Sequence, residues 1–184
     1  MPLRYAVGWA LVLAACCAPL ASAEGVYLTP EEFLAQAFPG AAPTARTLWL
    51  SEPLKTVAAE ILGHPLAQLR IHYWRSGERT AWIFDEIGKT HPITIGVAVE
   101  RDAIVLIRVL EFRESRGEEV RLPFFTDQFA GVRLAGGEGH ELDRRIDGIT
   151  GATLSVRAMQ RVARLALYCH AQVLPPDRSV SEAK

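Results

Sequence analysis

Cysteine is scarce in this chain of 184 residues: Cys16 and Cys17 lie near the N-terminus and Cys169 stands alone near the other end. That spacing excludes a disulfide framework, and there is no CxxC or CxxCH to hold a metal or haem. Cys169 falls on a helical pattern and is expected to be a small buried hydrophobe. His64, His72, His91, His140 and His170 show neither HxH nor HExxH spacing, so no metal site is expected. An excess of one charge is lacking as well. Twenty Lys and Arg against 21 Asp and Glu give a formal charge of −1, and no segment gathers a dense basic patch, which argues against nucleic acid as a partner. The leading apolar run, Tyr5 to Ala15, is about eleven residues, too short to span a bilayer as a mature helix. There is no internal repeat and no low-complexity tract.

What is present begins with a leader. Arg4 supplies a basic start, the apolar run follows, and Ala21-Ser22-Ala23 fits a signal-peptidase site, so residues 1–23 read as a signal peptide and the protein as exported to the periplasm. Leu13-Ala14-Ala15-Cys16 also fits a lipobox, in which Cys16 would carry a lipid; the well-formed stretch after Pro19 favours cleavage after Ala23. Removing Arg4 leaves 19 basic against 21 acidic residues, a formal charge of −2. The remaining length and the 49% apolar content suit one well-buried domain, over 24–174, with a polar tail at 175–184.

Within that domain, Thr29-Pro30-Glu31-Glu32 opens a short helix to Ala37, ended by Pro39-Gly40. Thr44 to Leu50 reads as a strand and Pro53 to Leu62 as a second helix. The period then changes from helical to alternating. Leu69 to Trp74 and Thr80 to Ile87 form one expected hairpin, Ile93 to Glu100 and Ala103 to Phe112 another. In the last of these strands Ile104, Leu106 and Arg108 alternate against Val105, Ile107 and Val109. A polar loop over 113–119, a short aromatic helix over 123–129 and a further hairpin over 131–134 and 142–149 follow. A long helix from about Leu154 to Gln172 closes the domain. Successive antiparallel strands flanked by helices imply an α+β fold, an antiparallel sheet with helices packed on one face and a C-terminal helix at its end.

The organising stretch is Asp147-Gly148-Ile149-Thr150-Gly151-Ala152-Thr153-Leu154-Ser155, where turn residues meet the start of the longest helix. Thr153 or Thr150 is placed to cap that helix, beside its open N–H groups and the positive end of its dipole. Three chemistries compete for these hydroxyls. One is simple capping. A second is a nucleophile, although the stretch matches neither the GxSxG elbow nor SxxK. The third is a phosphate seat, with backbone N–H groups and a hydroxyl meeting an anion.

The stretch Asp147 to Thr153 resembles the flavinylation motif of the FMN-binding domain family, D-x-x-[ST]-G-A-[ST]. That family includes flavinylated components of the sodium-pumping NADH:quinone reductase and of the Rnf electron-transport complex. The resemblance covers roughly residues 50–172, with the motif as its specific part. It implies FMN as cofactor, joined by a phosphoester bond to Thr153 by a separate flavin transferase that uses FAD. Asp147, Thr150, Gly151 and Ala152 would shape the turn, and Ser155 would offer a hydroxyl. Glu114-Ser115-Arg116-Gly117 occupies the place of a loop that faces the flavin ring in relatives, so Glu114, Arg116 and Gly117 are further candidates, with Arg113 or Arg116 as a charge beside a reduced flavin. This loop departs from the E-T-P-G-L-G form of the membrane-complex members, and the leader differs from their membrane anchor.

The resulting expectation is a periplasmic, membrane-associated electron carrier rather than a stand-alone enzyme. It would exchange electrons with membrane or periplasmic redox partners. The alternatives are an exported binding module with noncovalent FMN or no flavin, in which Thr153 only caps a helix, and a reductase whose acceptor binds at the flavin.

Overall fold

The computed structural model describes residues 25–136 and 139–174. The expected leader, the Cys16 lipid site and the tail lie outside the described residues. Helix α1 (Pro30–Ala37) starts as its sequence dictates: Thr29 Oγ1 accepts from the Glu32 N–H at 3.2 Å, and the Glu32 carboxylate accepts from the Thr29 N–H at 2.8 Å. This reciprocal box satisfies two otherwise open donors. Strand β1 (Thr44–Trp49) leads to helix α2 (Glu52–Leu62), which ends at Gly63 with φ +77°, a left-handed conformation suited to a residue without a Cβ. Strands β2 (Arg70–Ser76), β3 (Arg79–Ile87), β4 (Pro92–Glu100) and β5 (Ala103–Phe112) follow, and the long helix α4 (Thr153–Val173) comes last, after a short helix α3 (Pro123–Thr126).

The five strands form one antiparallel sheet in the order β1-β2-β3-β4-β5, so every connection joins neighbours and the expected α+β architecture holds. On one face β4 presents Ile93, Ile95, Val97 and Val99, all fully buried. They pack with Trp82 of β3 against Met159, Val162, Ala163 and Ala166 of α4 and Ala58 and Ile61 of α2. The helices do not all share that face. Phe33 and Ala37 of α1 cluster with Ala81, Ala98 and Leu110, whose side chains leave the opposite side of the sheet. Alternation places Gly96 on this second face, where a Cβ would lie 2.7 Å from the Phe33 ring. The missing side chain is the slot that admits α1.

Strand β5 departs from simple alternation. The register against β4 skips Val105 and Leu110, two bulges that each place one extra residue on β5. Between them the parity shifts, so Ile104, Ile107 and Val109 join the α4 side while Leu106 and Leu110 face α1. The outer edge of β5 is covered at both ends. Tyr27 and Leu28 donate to the Leu110 carbonyl and Phe112 donates to Gly25 at 2.8 Å. At the other end Ile104 donates to Val132 and Gly131 donates to Ile104. Such covering blocks pairing with another chain.

A polar chain runs through the core beneath α4. Trp82 Nε1–H donates to Thr80 Oγ1 at 2.8 Å, and the Thr80 hydroxyl lies 2.8 Å from His170 Nδ1. His170 Nε2 faces the Arg101 carbonyl. The consistent assignment is a neutral imidazole protonated at Nε2, and burial pushes its pKa down in the same sense. Every polar atom of this buried trio has a partner, so it fixes α4 on β3 without an orphan group. Cys169 beside it is buried, and burial raises its thiol to about 12. It behaves as the inert hydrophobe expected.

The expected hairpin over 131–149 shrinks to one bridge, Leu134 with Leu142, flanked by bonds from Ala135 to Glu141 and from Asp143 to Arg133. Residues 145–149 run on without regular structure. Of the aromatic run after Pro123, Phe125 and Phe129 are core, packed edge to face with centroids 5.6 Å apart, while Phe124 is exposed.

Candidate functional site

The turn into α4 is built by glycine. The Ala152 N–H donates to the Ile149 carbonyl at 3.0 Å, closing a turn with Thr150 and Gly151 at its centre. Gly151 has φ +85°, the sign that the third position of a type II turn requires. The chain enters this turn along a second support, where the Gln128 side-chain oxygen accepts from the Asp147 N–H at 2.7 Å. The Asp147 carboxylate itself is exposed and makes no hydrogen bond among the described residues.

Neither threonine caps the helix. Ala152 occupies the N-cap position, with φ −115° and ψ 20°, and no side chain caps the first turn. Thr153 is therefore the first helical residue, and its side chain is exposed. The capping expectation fails because a cap needs an extended backbone and a side-chain oxygen at one residue. The turn places the compact Ala152 there instead. An uncapped first turn leaves N–H groups facing outward at the positive end of a 21-residue helix.

The loop after β5 packs directly onto this helix start. Gly117, at φ +94°, sits so close that a Cβ would lie 2.9 Å from Ser155 Oγ and 3.2 Å from the Ala152 Cβ. Between loop and helix lies an open cleft of about 540 Å³. One wall is Gly151, Ala152, Thr153, Leu154 and Ser155; the other is Glu114, Ser115 and Arg116, joined by Lys89. The structure thus brings together the motif and the distant loop that the resemblance pointed to separately. Asp147 and Thr150 lie outside the lining. Arg113 turns away too: its guanidinium donates to the Pro92 carbonyl and Thr94 and pairs with Glu111. Arg116 is the arginine left at the cleft.

Glu114 has a definite job here. One carboxylate oxygen accepts from the backbone N–H groups of Lys89, Thr90 and His91 at 2.5, 2.6 and 2.9 Å, and the other accepts from the Thr90 hydroxyl at 3.0 Å. Its side chain is only 4% exposed. Burial alone would raise its pKa, but these donors outweigh that and hold it at about 2. Glu114 is a latch between the β3–β4 turn and the loop after β5, and its charge is taken up within the protein. Gly88 makes room for it, since a Cβ there would lie 3.1 Å from the carboxylate. Lys89 is the cleft residue that sequence reasoning missed. Only the sheet register, which puts Ile87 opposite Pro92 and Ile93 opposite Phe112, brings that turn to the same end as the loop.

Among the described residues no group of His, Cys, Asp and Glu could hold a metal, and no helix is long and apolar enough to cross a membrane.

A family model for the FMN-binding domain matches residues 88–168. Comparison with curated proteins finds no match. The matched span runs from the β3–β4 turn through the latch loop and most of α4, so it contains every residue that lines the cleft. Over residues 88–168 the chain is similar to the FMN-binding domain, and FMN is the cofactor that this match supports.

Proposed function

We propose that the protein carries FMN covalently, by a phosphoester bond to Thr153, and serves as a periplasmic electron carrier. The observation that supports this most directly is the position of Thr153: an exposed hydroxyl on the first residue of an uncapped helix, at a cleft of about 540 Å³. A helix start with a capping side chain would already have its donors engaged. This one leaves them for a phosphate, and a phosphodiester there keeps one negative charge beside the helix dipole, a contribution on the order of 0.3–1 kcal/mol.

The residues present fit the group. Ligand clefts span about 300–1,000 Å³, and this one combines a hydroxyl, helix N–H groups and two cations, Lys89 and Arg116. Thr153 would hold the phosphate, Ser155 would contribute its hydroxyl, and Gly117 would let the loop stay close to the helix. Arg116 and Lys89 would favour added negative charge in the cleft. Asp147, Thr150, Gly151 and Ala152 would form the turn that a flavin transferase recognises, Gly151 by its positive φ. Glu114 acts by holding the wall in place. Bound FMN supplies one- and two-electron redox chemistry; this chain's residues bind it and set the charge around it.

The cleft lining contains no histidine, and its one carboxylate, Glu114, is already engaged by backbone donors. That leaves little acid–base equipment for a substrate and favours a carrier over an enzyme. The test is mass spectrometry of the protein co-expressed with a flavin transferase. We expect an added FMN mass that disappears in Thr153→Val and survives Thr150→Val. Unmodified wild-type protein under those conditions would refute covalent attachment and leave the noncovalent module as the better account.

A further inference from the structure

A second cleft, of about 450 Å³, lies between the segment 141–146 and the outer stripe of α4. Five arginines line it: Arg144 and Arg145 from the segment, Arg157, Arg161 and Arg164 from the helix. This concentration stands out in a chain whose formal charge is −1.

The protein neutralises only part of it. Arg164 pairs with Glu141 at 2.5 Å and donates to the Ile61 carbonyl at 2.8 Å. Arg161 lies 2.6 Å from the buried Glu86 carboxylate and donates to the Ile87 carbonyl at 3.1 Å. Arg144 is 3.7 Å from Asp143. Arg145 and Arg157 have no hydrogen bond or ion pair among the described residues. Five guanidinium groups against the three carboxylates that contact them leave a net +2. The Nε–H groups of Arg161 and Arg164 are buried and also lack a partner, although buried donors are normally matched.

We propose that this cleft binds a phosphate-bearing anion of at least two charges, with diphosphate as its simplest form. Guanidinium groups present paired N–H donors whose geometry matches phosphate oxygens, and several of them converge here from two elements in a concavity. A flat charged surface would suit a protein partner; a concave one with fixed arginines suits a small anion. Arg161 and Arg164 are held in place by Glu86, Glu141 and main-chain carbonyls, so the site is organised before a ligand arrives. Arg145 and Arg157 supply the charge still unmatched.

The location adds a consequence. At 3.6 residues per turn, Thr153, Arg157, Gln160, Arg161 and Arg164 fall within one stripe roughly 100° wide along α4. Arginine side chains on a helix lean toward its N-terminus. The anion cleft therefore adjoins the flavin cleft along the same helix face, with Thr153 at the head of the stripe. The inference itself needs no flavin on Thr153 and is tested without one.

The test is isothermal titration of the unmodified full chain with inorganic pyrophosphate, ADP and citrate at low salt. We expect Kd values of about 1 mM or tighter for pyrophosphate and ADP, weakening with salt. The double variant Arg145→Gln/Arg157→Gln is expected to weaken both at least about tenfold, with its melting temperature unchanged because neither side chain has a partner to lose. Equal affinity for pyrophosphate and ADP assigns the site to the diphosphate, and tighter ADP binding assigns it to a nucleotide. Absence of pyrophosphate binding overturns the proposal, as does citrate binding equally well. Loss of binding in Arg116→Gln with full binding in the double variant would also overturn it, by moving the anion to the other cleft.

Discussion

Replacing Glu114 by glutamine removes the charge from the latch while leaving a carbonyl oxygen where three backbone N–H groups converge. Burial pushes this carboxyl up, yet the donors from Lys89, Thr90 and His91 and the Thr90 hydroxyl bring it from 4.5 down to about 2. Each unit corresponds to about 1.4 kcal/mol, so the shift caps the contribution of the charged form at roughly 3 kcal/mol. Counting four separate charge-assisted bonds at about 1.5–3 kcal/mol each would give far more. The smaller figure is the better guide, because three donors share one oxygen and its burial opposes them. An amide oxygen keeps part of the bonding, so we predict a loss of about 2 kcal/mol at neutral pH for Glu114→Gln.

The sign of the pH dependence follows from a folded pKa below the unfolded one. The contribution is complete above about 4.5 and is lost as pH falls through about 2. Urea unfolding followed by tryptophan fluorescence should show wild type more stable than Glu114→Gln at pH 7, with the gap narrowing steadily below pH 4.5. The corresponding drop in melting temperature at pH 7 is roughly 4–8 °C for a domain of this size. Equal stability at pH 7 would refute the latch. A gap that persists unchanged at about pH 2 would show that shape and not charge carries the effect.

Other outcomes follow from single contacts. Gly117→Ala puts a Cβ 2.9 Å from Ser155 Oγ at φ +94°, so it should cost about 1–3 kcal/mol and reduce FMN incorporation measured by visible absorbance. Gly96→Ala drives a methyl into the Phe33 ring at 2.7 Å. Thermal denaturation should show a loss of about 1–3 kcal/mol, and proteolysis should begin near α1. Thr80→Val strips the partner from both Trp82 and His170, costing about 1–3 kcal/mol for each buried group left unmatched; a loss well under about 1 kcal/mol in urea unfolding would contradict the network.

The elements themselves were legible because their signals are local. Thr29-Pro30 with Glu32 opens α1 where expected, and the alternation in β2 to β5 places four strands within a residue or two. Face assignment was less accessible. Parity along β5 breaks at Val105 and Leu110, and no residue type announces a bulge. Nor does α1 reveal which side of the sheet it covers; that depends on the empty place at Gly96 on β4, far from α1 in sequence. At the site, resemblance singled out Thr153 and the loop over 114–117, and the cleft joins them. The capping role failed because helix starts are decided by backbone angles at one residue. Lys89 was invisible because its neighbours in the cleft arrive through sheet register, and the arginine cleft because its residues are scattered over two segments that no motif links.

The covering of the β5 edge leaves a consequence for handling the molecule. With residues 25–28 and 131–132 closing that side, β1 is the sheet edge still open among the described residues, and its side chains are largely exposed. Strands lie about 4.8 Å apart, so β1 stands roughly 14 Å from β4 across the sheet. A fused peptide or a second copy that adds a strand would dock along β1, at the far edge of the sheet from β5. An addition at that edge would sit beside β1, whereas α4 packs across β3, β4 and β5.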